Sequence, residues 1–96
     1  MGKEDLYKKL LAGFFRKNVS TLSDIRESIE RGNLDTAATQ AHTLKGTAST
    51  LSATDVHRAS IDLETALRGR SGDYDRLLAD LDRALKEGLK VTEGLG

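Results

Sequence analysis

Apolar residues recur at helical intervals along nearly the whole chain. In the first stretch Leu6, Leu10, Phe14, Val19, Leu22, Ile25 and Ile29 fall three to five positions apart before Arg31 and Gly32, the period of a helix with one buried stripe. This pattern fits one long helix or two joined by a bend near Asn18–Ser20. Gly32, which tolerates left-handed backbone, is expected to stop the helix, and Asn33 to cap the next one. Leu34, Ala37, Ala41, Leu44, Ala48 and Leu51 then alternate spacings of three and four, the narrow seam of an antiparallel bundle. Ser52-Ala53-Thr54-Asp55 reads as a capping box with Asp in the Glu position, so the chain is expected to break at Ser52 and restart a helix. Val56, Ser60, Leu63 and Leu67 share one face up to a Gly69–Gly72 loop. Asp73 can cap a last helix with Tyr74, Leu77, Leu78, Leu81, Leu85 and Leu89 inward, fraying before Gly94. Proline is absent and no strand pattern competes, so the expectation is an all-α, antiparallel four-helix bundle.

At 96 residues the chain has room for one core, and residues 1–96 are expected to form a single domain. Fifteen Lys plus Arg balance fifteen Asp plus Glu. That leaves no basic field for a polyphosphate and argues against nucleic acid as a partner. Hydrophobic residues are 38% and charged residues 31%, a globular balance far from the signature of disorder. Cysteine is absent, which excludes disulfides, a thiolate nucleophile and Cys-ligated zinc, and suits a reducing compartment. The longest apolar run, Leu10 to Phe15, is far shorter than a membrane span, and no signal-peptide pattern is present.

The second apolar seam centres between Leu44 and Ala48, which turns His42 roughly 130° away, into solvent. Lys45 falls at the edge of the seam, and Gly46 and Ser49 lie beside His42, one and two turns on. Glycine inside a helix costs about 1 kcal/mol relative to alanine, so Gly46 requires an offsetting benefit. It either lets a neighbouring helix pack closely or clears space beside the imidazole for an approaching partner. An exposed imidazole has an ordinary pKa near 6.5 and offers a neutral nucleophilic nitrogen at neutral pH. A lysine three positions on lies on the same side, where it can offset charge on phosphoryl oxygens.

Ala41-His42-Thr43-Leu44-Lys45-Gly46, followed by Ala48, Leu51, Ala53 and later Leu63-Glu64, resembles the histidine-containing phosphotransfer (HPt) domain, with similarity extending from about Leu6 to Leu85. The resemblance implies a four-helix bundle with an additional N-terminal helical segment and an acceptor histidine on a central helix. By that resemblance His42 is the phospho-accepting residue, Lys45 the phosphate charge partner, and Gly46, extended by Ser49, the access for a receiver domain. Ser52 departs from the glycine the family often has at the end of this helix, so a changed loop beside an unchanged site is expected.

The function implied is a phosphorelay intermediate that takes a phosphoryl group from a receiver aspartate and passes it to another receiver, either free-standing or as the terminal module of a hybrid sensor histidine kinase. No Walker-type phosphate loop is present and nothing forms an acidic metal pocket. The chain is therefore expected to need no cofactor and to be no enzyme alone, with Mg²⁺ supplied by the partner receiver. The expected setting is cytoplasmic, as a monomer without direct membrane contact. Other readings are a phosphate-independent adaptor bundle, the phosphorylated domain of a chemotaxis-type kinase, and a metal-binding bundle. The last finds only His57, fifteen residues on and near a helix start, and no Glu-x-x-His motif. Asp35 and Thr39 share the His42 side and are candidates for a partner rim. Phe14 and Phe15 are adjacent and cannot both point fully inward, so either one lies near the docking surface or both pack under the N-terminal segment.

Overall fold

A computed structural model describes residues 3–50 and 53–94. They form four helices, α1 (Lys3–Glu30), α2 (Leu34–Thr50), α3 (Thr54–Gly69) and α4 (Tyr74–Gly94), so close in sequence that successive helices run antiparallel. The first helix is the single long alternative, unbroken at Asn18–Ser20. Asn18 is buried and donates its side-chain amide to the Phe14 carbonyl at 2.8 Å, so this helix-weak residue is satisfied within its own helical turn. The segment expected ahead of the bundle is the leading part of this same helix. There the apolar stripe runs out into solvent: Leu6 and Leu10 are exposed, a difference from the fully inward stripe the spacing predicts.

The core is a cluster in which every helix takes part, including Ile25, Leu44, Leu63, Leu67, Leu78, Leu81 and Leu85. Burying each such side chain contributes about 1.5–3 kcal/mol before conformational entropy is subtracted. Tyr74, Leu77 and Leu89 are only half-buried around its edge. Phe14 and Phe15 are both buried, with ring centroids 5.3 Å apart edge to face. Adjacent residues manage this because they serve different neighbours. Phe14 lines the cleft toward α2, and Phe15 lies on Gly88 of α4, where a β-carbon would overlap its ring.

The helix ends follow backbone chemistry. Gly32 takes φ +79°, while its N–H reaches the Ile29 carbonyl and the Asn33 N–H reaches the Ser28 carbonyl at 2.8 Å, the paired bonds of a Schellman stop. After α3 the same pair forms, from Arg70 N–H to Leu67 and from Ser71 N–H to Ala66. Here the left-handed residue is Arg70, at φ 52°, not the preceding Gly69. Asp73 caps α4 by accepting the Arg76 N–H at 3.1 Å, as its position predicts. The capping residue of α3 is Ala53, without a side-chain cap bond, which corrects the capping box by one residue. The expected seam residue Leu51 and the Ser52 turn lie outside the described residues.

The inner face of α2 is made of Ala37, Ala38, Ala41, Leu44 and Ala48. Side-chain size at the contact sets the distance between helix axes, so this alanine face draws α2 close to α3. That closeness lets polar groups on the outer edges of the two helices meet.

Candidate functional site

His42 stands on the outer face of α2 with its side chain 59% exposed, as the phase of the seam predicts. It is not unsupported. Its Nδ1 lies 3.1 Å from Oε2 and 3.4 Å from Oε1 of Glu64 on α3. The same carboxylate receives the Lys45 ammonium on Oε1 at 2.9 Å and the Arg68 Nε on Oε2 at 2.8 Å. Three donors from two helices thus converge on one buried anion.

Burial of Glu64 by itself raises its pKa, because desolvation disfavours the charged form. Hydrogen bonds from Lys45 and Arg68, with the charges of Lys45 and His42, outweigh it and bring the carboxyl down from 4.5 to about 2. At neutral pH Glu64 is therefore an anion that can only accept. A neutral His42 meeting it through Nδ1 must carry its proton there, which leaves the Nε2 lone pair on the solvent side. This is the carboxylate-set tautomer known from histidine sites in general.

Gly46 is exposed, and a β-carbon built there meets nothing within 4 Å. That removes close helix packing as its explanation and leaves open space one turn from His42. Ser49, also exposed, continues the shallow strip. Asp35 and Thr39 sit on the same side toward the start of α2, both exposed. Asp35 faces Arg70 at 3.5 Å, and Thr39 Oγ1 donates to the Asp35 carbonyl. Thr43 and Thr47 repeat that bond to the carbonyl four residues back, so the α2 flank beside His42 carries hydroxyls already engaged by their own helix. Beyond it a cleft of about 550 Å³ opens between α1 and α2, with Phe14 and Leu44 in its lining and Lys9 and Lys17 on the α1 side. His57 is half-buried near the start of α3.

Four of the expected residues, His42, Lys45, Gly46 and Ser49, thus share one surface. Reading the sequence for chemistry missed Glu64 as the group that orients the ring, and Arg68 beside it. The signal was in the spacing of α3. Glu64 follows Ser60 by one turn and lies between Leu63 and Leu67, so a carboxylate sits on the edge of a buried stripe, where an unpaired charge is not tolerated.

Among the described residues no helix is long and apolar enough to cross a membrane. No curated protein and no solved structure matches the chain. The family described as the Hpt domain does match, over residues 9–92, a span that holds the whole His42–Lys45–Glu64–Arg68 cluster. An exposed, oriented imidazole on a four-helix bundle and that match agree, and the chain belongs to the Hpt domain family.

Proposed function

We propose that this chain is a phosphorelay intermediate that carries a phosphoryl group on Nε2 of His42 between receiver-domain aspartates. Hpt domains are phosphotransfer modules of two-component signalling that act with receiver domains of response regulators. The observation that carries the specific reading is the pairing of an exposed ring with an ionised carboxylate behind Nδ1.

The Nε2 lone pair attacks the phosphorus of an aspartyl phosphate in line. An N–P bond forms as the P–O bond to the aspartyl carboxyl breaks, and that electron pair leaves on the receiver's carboxylate. The Nδ1 proton stays in place, so the phosphorylated ring carries positive charge, which Glu64 offsets from the other side. No proton has to leave for the group to arrive or depart, which keeps the transfer reversible. Lys45 holds the carboxylate ionised and adds positive charge, while Gly46 and Ser49 leave room for the receiver's acidic pocket. Mg²⁺ and most of the transition-state stabilisation belong to that pocket, because phosphoryl transfer is chiefly a matter of positioning and charge. The chain alone is not an enzyme in this scheme. The phosphate-independent adaptor reading gives no account of an oriented imidazole beside an uncompensated glycine.

The test is incubation with a phosphorylated receiver, comparing wild type with His42→Gln. Acid-labile label on the wild type alone is expected. Equal label on both proteins rejects His42.

A further inference from the structure

The charges around His42 do not cancel. Glu64 supplies one negative charge and Lys45 and Arg68 two positive ones, so one cation remains uncompensated before any phosphoryl arrives. A phosphoryl group brings about −1.5 to −2 at neutral pH, and which cation meets it is decided by exposure and by the oxygen each one uses. Lys45 is the inner one. Its side chain is 29% exposed and rests on Oε1, whereas Arg68 is 54% exposed and His42 59%. Arg68 and His42 share Oε2, so the two solvent-facing groups are immediate neighbours on one carboxylate oxygen. Arg68 uses Nε for that bond. A guanidinium held by Nε still has the N–H groups of its two Nη atoms, in the planar fork that suits phosphoryl oxygens. The spacing also fixes the group, since glutamate four residues before arginine on a helix is the favourable orientation for the pair.

We propose that Arg68 is a phosphoryl-binding residue of this site, gripping the oxygens of the group on His42 with its Nη edge while Nε stays on Glu64 and Lys45 remains the inner counter-charge. This rests on the reading of His42 as the acceptor. Bond making and breaking are unchanged by it. Arg68 adds charge-assisted hydrogen bonds to oxygens that are negative before, during and after the transfer.

The experiment phosphorylates the full chain with phosphoramidate, a small donor that needs no receiver, and follows the phosphohistidine ³¹P signal against pH in wild type, Arg68→Gln, Arg68→Lys and Lys45→Gln. A cation a few ångströms from the phosphoryl lowers its second pKa by at least about half a unit even with water-like screening. The value should therefore rise by that much or more in Arg68→Gln and return part of the way in Arg68→Lys. The Nδ1–H resonance of unphosphorylated His42 is recorded in parallel. It should stay in place in Arg68→Gln, because Glu64 is still ionised by Lys45. A phosphoryl pKa unchanged in Arg68→Gln, or a change confined to the Nδ1–H resonance, overturns the proposal and reduces Arg68 to a support for Glu64. If wild type takes no phosphoryl on His42, the acceptor reading itself fails. Circular dichroism of each variant separates loss of fold from either result.

Discussion

Replacing Gly46 with alanine separates what the fold needs from what a partner needs. The glycine lies within α2, is exposed, and has nothing within 4 Å of the position a β-carbon takes. Alanine there regains helix propensity worth about 0.5–1 kcal/mol with no packing penalty to subtract. For a domain of this size that raises Tm by a few degrees. Gly88 is the matched control. It gains the same propensity, but its β-carbon enters the ring of buried Phe15, and overpacking costs about 1–3 kcal/mol, so Gly88→Ala should be neutral to about 2 kcal/mol less stable. Urea titrations with a common m-value measure both. Function should move the other way. Reacting atoms must come within about 3–3.5 Å, and a misplacement of 1 Å can cost about a hundredfold. Gly46→Ala should therefore slow transfer from a phosphorylated receiver tenfold or more. Phosphorylation by phosphoramidate, which needs no docked protein, should stay within about twofold. A Gly46→Ala protein that is no more stable than wild type, or one that exchanges phosphoryl with the receiver at the wild-type rate, refutes the clearance argument.

Three further expectations concern the surroundings of the site. Glu64, lowered from 4.5 to about 2 in the folded chain, stabilises it at pH values above the unfolded pKa, and that contribution is lost as pH falls toward 2. The shift corresponds to about 3 kcal/mol at face value, which exposure of Arg68 and His42 reduces to about 1–2. Glu64→Gln should be less stable than wild type by that amount at pH 7 and equal to it near pH 2 in denaturant titrations; a constant gap across this range contradicts the assignment. Ser60 is fully buried and its hydroxyl has no hydrogen-bond partner among the described residues, so Ser60→Ala should gain about 1 kcal/mol, read as a higher urea midpoint. Arg70 holds left-handed backbone at φ 52°, a conformation that costs a side chain about 1 kcal/mol. Arg70→Gly should raise Tm by a few degrees even though the exposed pair with Asp35 is lost, since such surface pairs contribute little.

Much of this architecture is written locally in the chain. The seam of α2 fixes the direction of His42 because a helix with alanine on one side has only one face to bury, and Gly32 and Asp73 announce their turns by their own backbone and side-chain chemistry. Other features depend on neighbours that spacing does not name. Leu6 and Leu10 continue the apolar stripe, yet among the described residues they stay exposed. Phe14 and Phe15 are both buried because α1 has partners on two sides, which a single helical wheel does not show. The left-handed turn after α3 falls on Arg70 and not on Gly69 because the carbonyls of Ala66 and Leu67 decide where the cap closes. Glu64 is the instructive case. Its place beside Leu63 is visible in the sequence, but its role arises from a contact between residues 42 and 64, set by how closely two helices approach.

That approach has a consequence for how this surface tolerates change. The alanines that face inward from α2 are not part of the polar cluster, yet they set the gauge across which His42 reaches Glu64. A methyl group added at Ala38 or Ala41, both almost wholly buried, would push the helix outward at the roughly 1–3 kcal/mol that overpacking costs, a loss a folded bundle can survive and a 3.1 Å bond cannot. Substitutions there should leave a chain that folds and carries an imidazole free to rotate, so conserving the chemistry means conserving residues that have none.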